Sequence, residues 1–178
     1  ILEIKDLQTY FFLEKSTVRS VDGVNLSLPR KSTLGLVGES GCGKSTTGRM
    51  VSRLLKPTSG EIRFEGTDIA NFGHKQLQPL RRDIQMIFQD PYGSLNPRQT
   101  VGAIVATPME IHKTIPEKQI KARVQELLEF VGLNPEHYNR YPHEFSGGQR
   151  QRIGIARSLA LQPKVLVADE PVSALDVS

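Results

Sequence analysis

The sequence predicts an α/β fold organised around a phosphate-binding loop, on three observations. The first is Gly38-Glu39-Ser40-Gly41-Cys42-Gly43-Lys44-Ser45, a G-x-x-x-x-G-K-S stretch set between an apolar run of strand length at 33–37 and a helix-like segment at 46–55. The second is Val165-Leu166-Val167-Ala168, all apolar as in a strand buried on both faces, ending in the acids Asp169-Glu170. The third is Phe145-Ser146-Gly147-Gly148-Gln149, a second glycine-softened helix start with Ser146 as its N-cap. Strand, glycine loop and helix in succession is the context the loop motif needs.

The chemistry of these stretches follows from their residue types. Gly38, Gly41 and Gly43 are expected to take backbone conformations that a Cβ would forbid. Successive N–H groups can then curl around phosphate oxygens, and the following helix turns its positive dipole end to the same anion. Lys44 supplies a mobile positive charge for β- and γ-phosphates, and the Ser45 hydroxyl can ligate Mg²⁺. At the mouth of a parallel sheet, Asp169 can hold Mg²⁺ through water and Glu170 can polarise an attacking water. A second anion site at Ser146 is more than one chain needs for one nucleotide.

Bulk properties narrow the class without naming it. The chain has 178 residues, enough for one domain with a core. Its net charge of +4 is a mild excess, compatible with a nucleotide ligand or an anionic surface nearby. The sequence carries no apolar run of membrane-span length and no signal-peptide pattern at its first residues. Cys42 is the single cysteine, so no internal disulfide can form and a reducing compartment is expected. Its place at a variable position of the loop marks it as tolerated and not catalytic.

Taken in order, residues 1–30 read as strands. Leu2-Glu3-Ile4-Lys5 alternates, and 18–29 alternates around the turn signal Asp22-Gly23. Tyr10-Phe11-Phe12 between them reads as core or a hairpin pair, with a ring stacking on adenine as the functional alternative, and the residues alone favour core. Residues 61–66 and 84–88 read as further strands, the latter ending at Gln89-Asp90-Pro91; strand ends are where an α/β protein binds ligands, but by itself Gln89 reads as a polar turn residue. Residues 116–133 form the clearest helix: Pro116 at its start, Ile120, Val124, Leu127, Leu128 and Val131 on one face, and Gly132 at its cap. With the turns on either side, 92–145 reads as a helical insertion. Ile153, Ala156, Leu159 and Ala160 make the buried face of the helix that follows Ser146.

Together these stretches resemble the nucleotide-binding subunit of an ATP-binding-cassette (ABC) transporter, over essentially the whole chain and in family order. Residues 38–45 match the Walker A loop, Gln89 the Q-loop glutamine, and 145–149 the signature motif with Phe145 in place of the commoner leucine. Residues 165–170 match Walker B with its catalytic glutamate, and 173–176 the D-loop. The signature stretch makes the assignment specific, because many ATPases and GTPases share the loop alone. Residues 88–98 are similar to those of bacterial dipeptide and oligopeptide importer ATPases, with nickel and microcin-type uptake relatives close behind.

The resemblance implies an α/β P-loop NTPase core with a RecA-like sheet, an N-terminal antiparallel β subdomain and an inserted α-helical subdomain, cut short at the C-terminus. It treats 1–178 as one incomplete domain, with 1–91 and 156–178 as β subdomain and P-loop core and 92–155 as the helical part carrying the signature. The implied reaction is ATP hydrolysis with Mg²⁺. Lys44, Gln89 and Glu170 would be catalytic, and Ser45, Gln89 and Asp169 would serve the metal. Nucleotide contacts would come from 38–46, including Glu39, Ser40, Cys42 and Thr46, and from Phe11 near the adenine-stacking position, with Tyr10 and Phe12 as neighbours. Ser146, Gly147, Gly148 and Gln149, with Asp176, would meet the γ-phosphate held by the opposite subunit of a head-to-tail dimer. That accounts for the second anion site.

Expected partners are transmembrane permease subunits, a second ABC ATPase subunit in a homodimer or heterodimer, and indirectly a periplasmic or extracellular solute-binding protein. The expected location is the cytoplasmic face of the membrane, and the cargo di- or oligopeptides, with nickel or another small solute as the alternative. The family's switch histidine lies beyond the D-loop, whereas His74, His112, His137 and His143 all precede it. The expectation is therefore a fragment that binds ATP weakly and barely hydrolyses it. A soluble relative acting on DNA fits less well: Lys44 and Ser146 are 146 − 44 = 102 residues apart with no long heptad run, and no nucleic-acid partner is expected. Ribosome-acting relatives carry two cassettes and one is visible here. A GTP switch would need Asn-Lys-x-Asp, which is absent.

Overall fold

The computed structural model describes residues 1–14, 16–90 and 93–170, and divides into two units, Ile1–Arg81 and Arg82–Ser178. The first unit is built on an antiparallel sheet. Strands β1 (Leu2–Leu13), β2 (Ser16–Leu28), β3 (Ser59–Phe64) and β4 (Thr67–Asp68) lie in the order β2-β1-β3-β4. Helix α1 (Lys44–Val51) follows the glycine loop, and α2 (His74–Asp83) runs across the boundary between the units.

The alternation in β1 explains its inward face only after a bulge is counted. Leu2 and Ile4 are buried, then the parity changes and Leu7 and Thr9 are buried. A strand has a side-chain period of two, so one inserted residue is needed to keep both pairs on the core side. Asp6 is that residue, with φ 46° and a register shift against both neighbouring strands. Gly60 of β3, at φ 93°, lies so close to Asp6 that a Cβ there would collide with its backbone. Gly23 of β2, at φ 75°, faces the Asp6 carboxylate. The Asp22-Gly23 signal is therefore a bulge inside one continuous strand and not a turn between two.

Two further expectations need correction here. Residues 33–37 join no ladder among the described residues, and Leu34, Leu36 and Val37 are exposed. A strand is defined by its partner, and apolar composition alone cannot supply one. The Tyr10-Phe11-Phe12 cluster is a hairpin element and not core. Phe11 lies opposite Val18 and Phe12 opposite Thr17, and both rings are exposed.

Helix α1 is shorter than expected because Ser52 caps it and Arg53, at φ 53°, reverses the chain. The buried Arg53 guanidinium then donates to the carbonyls of Leu55, Ile69 and Phe72, tying its own loop to the one between β4 and α2.

In the second unit, β5 (Ile84–Ile87) pairs in parallel with β6 (Val165–Ala168), in register from Ile84↔Val165 to Ile87↔Ala168. A parallel pair requires a long crossover. It consists of α3 (Val101–His112), α4 (Glu117–Phe130), two short 3-10 turns at Pro135–Asn139 and Pro142–Glu144, and α5 (Gly147–Leu159). Their core gathers Val101, Val105, Val124, Leu128, Phe145 and Ile153 with their neighbours. Helix α4 ends as its sequence predicts. Gly132 takes φ 74°, its N–H donates to Glu129 O, and the Leu133 N–H donates to Leu128 O. This is a Schellman cap, and its apolar contact, Leu128 with Leu133, belongs to the core. Strand β6 differs from expectation: Val165 is buried but Leu166 and Ala168 are exposed. Leu166 and Ala168 share one face by the strand's period of two, so among the described residues only the Val165 face is well covered.

Candidate functional site

The chemistry-bearing residues fall into one cluster per unit. In the first, Gly43 is the N-cap of α1 at φ 95° and stands against the backbone of β2, where a Cβ would collide with Ser20 O. Gly41 takes φ 81° in open space. Gly38 lies outside the left-handed region, so the expectation of a forbidden conformation fails there. What a Cβ would meet is the Cys42 thiol, at 2.6 Å. The loop closes on itself through Cys42 N–H donating to Glu39 O, and Thr47 Oγ1 donating to Gly43 O. The Ser20 hydroxyl donates to Thr46 Oγ1 at 3.0 Å. Strand β2 therefore anchors the start of α1 through Ser20 twice, by a hydrogen bond and by close backbone approach.

Lys44 curls over this loop. Its Nζ donates to Gly38 O at 2.8 Å and Glu39 O at 2.7 Å, and lies 3.9 Å from Cys42 Sγ. The ammonium thus sits over the loop, with Ser40 and Gly41 exposed beside it and Ser45 and Thr46 in the first helical turn. That turn has no acidic side chain, so nothing of the helix's own neutralises its positive end. At the hairpin tip, the Tyr10 hydroxyl donates to Asp22 and its ring carries the Arg19 guanidinium at 5.4 Å. The hydrogen bond with Asp22 holds that phenol above the usual tyrosine range. Tyr10 is thus engaged within its own hairpin, whereas Phe11 and Phe12 present open faces.

The second cluster lies at the C-terminal ends of β5 and β6. Asp169 N–H donates to Ile87 O, extending the ladder one step beyond β6. This brings Gln89 and Glu170 together, Nε2 to Oε2 at 2.6 Å. Glu170 takes φ 45°, an uncommon region for a residue with a side chain and one that clusters at functional positions. Ser146 caps α5 by accepting from Gln149 N–H at 3.3 Å, while Gln149 Oε1 accepts from Ser146 N–H at 3.0 Å. The capping box places Gln149 back over its own helix start, and Gly147 and Gly148 open the first turn. Phe145 is buried, with the His137 ring edge-on at 5.3 Å.

Among the described residues no three His, Cys, Asp or Glu side chains converge as a metal cage. Hard oxygens occur in both clusters, the Ser45 hydroxyl in one and the Asp169 carboxylate in the other. Each is of the hard-oxygen kind that Mg²⁺ accepts. Asp176 and the rest of 173–176 lie outside the described residues. Sequence reasoning missed Ser20, whose role depends on a neighbouring strand, and Gln151, Arg157 and Ser158 on α5. The last three had one available signal, polar residues at the positions of an otherwise apolar helix face.

A family model described as ABC transporter matches residues 21–173. The chain belongs to the ABC transporter family. It is 57% identical over 180 residues to the oligopeptide transport ATP-binding protein OppF of Bacillus subtilis, covering all of this chain and 59% of that protein. It is 55% identical over 185 residues to the glutathione import ATP-binding protein GsiA of Escherichia coli K12, covering all of this chain and 30% of that protein. The chain thus spans well under two thirds of these relatives. Among solved structures it is similar to the dimeric ATP-binding cassette MJ0796 in a post-hydrolysis state bound to ADP and Pi. The TM-score is 0.92 at 29% identity, over 99% of this chain and 77% of that one. The expected fold class, an ABC-type α/β cassette, therefore stands. Among the described residues no helix is long and apolar enough to cross a membrane.

Proposed function

We propose that this chain binds and hydrolyses ATP with Mg²⁺ as the motor part of an ABC importer of di- or oligopeptides. The observation that carries the reading is the 2.6 Å contact of Gln89 with Glu170 at the shared C-terminal end of two parallel strands. There an acceptor carboxylate and an amide converge where α/β sheets bind ligands. Glu170 polarises the attacking water, Gln89 orients it and touches Mg²⁺, and Asp169 holds the metal's water shell. Lys44 neutralises the β- and γ-phosphates, and Ser45 ligates the metal. Residues 38–46 wrap the phosphates, and an exposed ring at the hairpin tip, Phe11 before Phe12, stacks on adenine. Phosphoryl transfer is mostly positioning and charge stabilisation, which is what this inventory can supply.

Ser146, Gly147, Gly148 and Gln149 serve the ATP held by a second ABC subunit, identical or not, with Asp176 beside them. Permease subunits transmit the cycle at the cytoplasmic face of the membrane, and a solute-binding protein delivers cargo. The peptide reading is supported by the names of the relatives, oligopeptide transport for OppF and glutathione import for GsiA.

The test separates binding from chemistry in the natural full-length protein. Lys44→Ala should lose ATP binding. Glu170→Gln should keep binding, retain labelled ATP and lower turnover by about 10²- to 10⁴-fold, the usual contribution of a positioned proton acceptor. Parent-level turnover by Glu170→Gln would remove the role given to Glu170.

A further inference from the structure

Helix α5 starts at Ser146 and runs its side chains along the chain that carries Gln89. Three polar residues make the contact. Ser158 Oγ donates to Met86 O at 3.2 Å, inside β5. Gln151 Nε2 donates to Phe88 O at 3.3 Å, one residue before Gln89. Arg157 NH1 donates to Ser94 O at 2.6 Å, on the other side of Gln89. We propose that Gln151 and Arg157 are positioning residues for Gln89, gripping the backbone on both sides of it and fixing it to the helix whose N-terminus is the Ser146 anion site. The inference rests on the ATPase reading and adds to it.

Packing alone does not require these residue types. Gln151 is 3% exposed, on a helix whose Ile153 and Ala156 are fully buried. Burying an amide costs free energy unless its hydrogen bonds are remade, and an apolar side chain of similar volume would fill the same space without that demand. The Arg157 guanidinium is a stronger case. Burial pushes it below the usual arginine range, and a desolvated cation is costly to hold. A polar group so placed specifies geometry more than it adds stability. Here that geometry is the placement of the Phe88 and Ser94 carbonyls, and through Phe88 that of the adjoining Gln89 amide that meets Glu170. The link also has a direction. Any shift of α5 on engaging a phosphate at Ser146 moves both grips, so Gln89 follows the signature helix and not only its own strand.

The experiment uses the natural full-length protein with its membrane partners. Gln151→Met keeps volume and removes the donor. Arg157→Lys keeps charge, and Arg157→Met removes it. The readouts are kcat, KM for ATP and the thermal midpoint, each in the parent and in a Gln89→Ala background. The expectation is a kcat loss of about ten- to a hundredfold for Gln151→Met, the range for a misplaced reacting group, with KM for ATP unchanged. In the Gln89→Ala background the same substitution should cost nothing further, and Arg157→Lys should retain more kcat than Arg157→Met. Equal kcat losses in both backgrounds, or a lowered midpoint with parent kcat, would overturn the inference. A slow Gln89→Ala beside a fully active Gln151→Met overturns the inference alone. A fully active Gln89→Ala overturns it together with the role given to Gln89.

Discussion

The two clusters are held by different means. Around Lys44 the geometry is written in the backbone: Gly43 pressed on Ser20 O, Gly41 in the left-handed region, and a lysine bonded to loop carbonyls. Around Glu170 and Ser146 it is written in side chains: Gln89 on Glu170, Gln149 on Ser146, Gln151 and Arg157 on strand-exit carbonyls. The difference reflects the task. A loop that offers N–H groups to an anion must bring backbone close, so Cβ atoms are in the way. A site that moves a proton or caps a helix needs functional groups at fixed distances. One substitution type, glycine to alanine, should therefore have opposite consequences at Gly43 of the loop and at Gly154 inside α5.

The largest effect is expected at Gly43. Gly43→Ala must hold a side chain in left-handed backbone, at about 1–2 kcal/mol, and displace the β2 backbone, at about 1–3 kcal/mol more by the usual cost of overpacking. Thermal unfolding should fall accordingly, and ATP binding should be lost in calorimetric titration. Gly41→Ala meets no neighbour within 4 Å, so only the backbone term of about 1–2 kcal/mol applies. Weakened but measurable ATP binding is expected. If both variants behaved alike, the close approach to Ser20 would not matter.

In the second unit Ser146→Ala should remove the capping box at about 1 kcal/mol of stability, read in a chemical denaturation midpoint. Gly154 lies inside α5, and among the described residues no atom outside the helix's own backbone comes within 4 Å of where an alanine Cβ would sit. The smallest effect is therefore a gain: Gly154→Ala should stabilise by about 0.5–1 kcal/mol and leave ATP binding unchanged. Loss of stability at Gly154 would erase the contrast with Gly43.

The same contrast explains what was legible in the sequence. The start and cap of α4 follow from Pro116 and Gly132, and the Ser146 cap from its own side chain, because a helix end is a local matter. Gln89 alone reads as a polar turn residue, and only the resemblance gave it a place in the site; its contact with Glu170 came from the fold. Features that need a partner far along the chain were not legible. The bulge that unites Asp6, Gly23 and Gly60 involves three strands at once, so Asp22-Gly23 read as a turn. Residues 33–37 have strand composition but no ladder among the described residues. Phe11 and Phe12 suggested core, and hairpin pairing turned them outward. Gln151 and Arg157 carried no motif at all, since their meaning lies in the carbonyls they reach.

The central claim is that the Lys44 loop of one subunit works with the Ser146 helix of another. It is tested most directly by mixing two inactive forms of the natural full-length protein, Lys44→Ala and Ser146→Arg. A mixed head-to-tail pair holds one site with both defects and one with neither. The account predicts that ATP hydrolysis partly returns on mixing. No recovery, at concentrations where mixed dimers are shown to form, would contradict it.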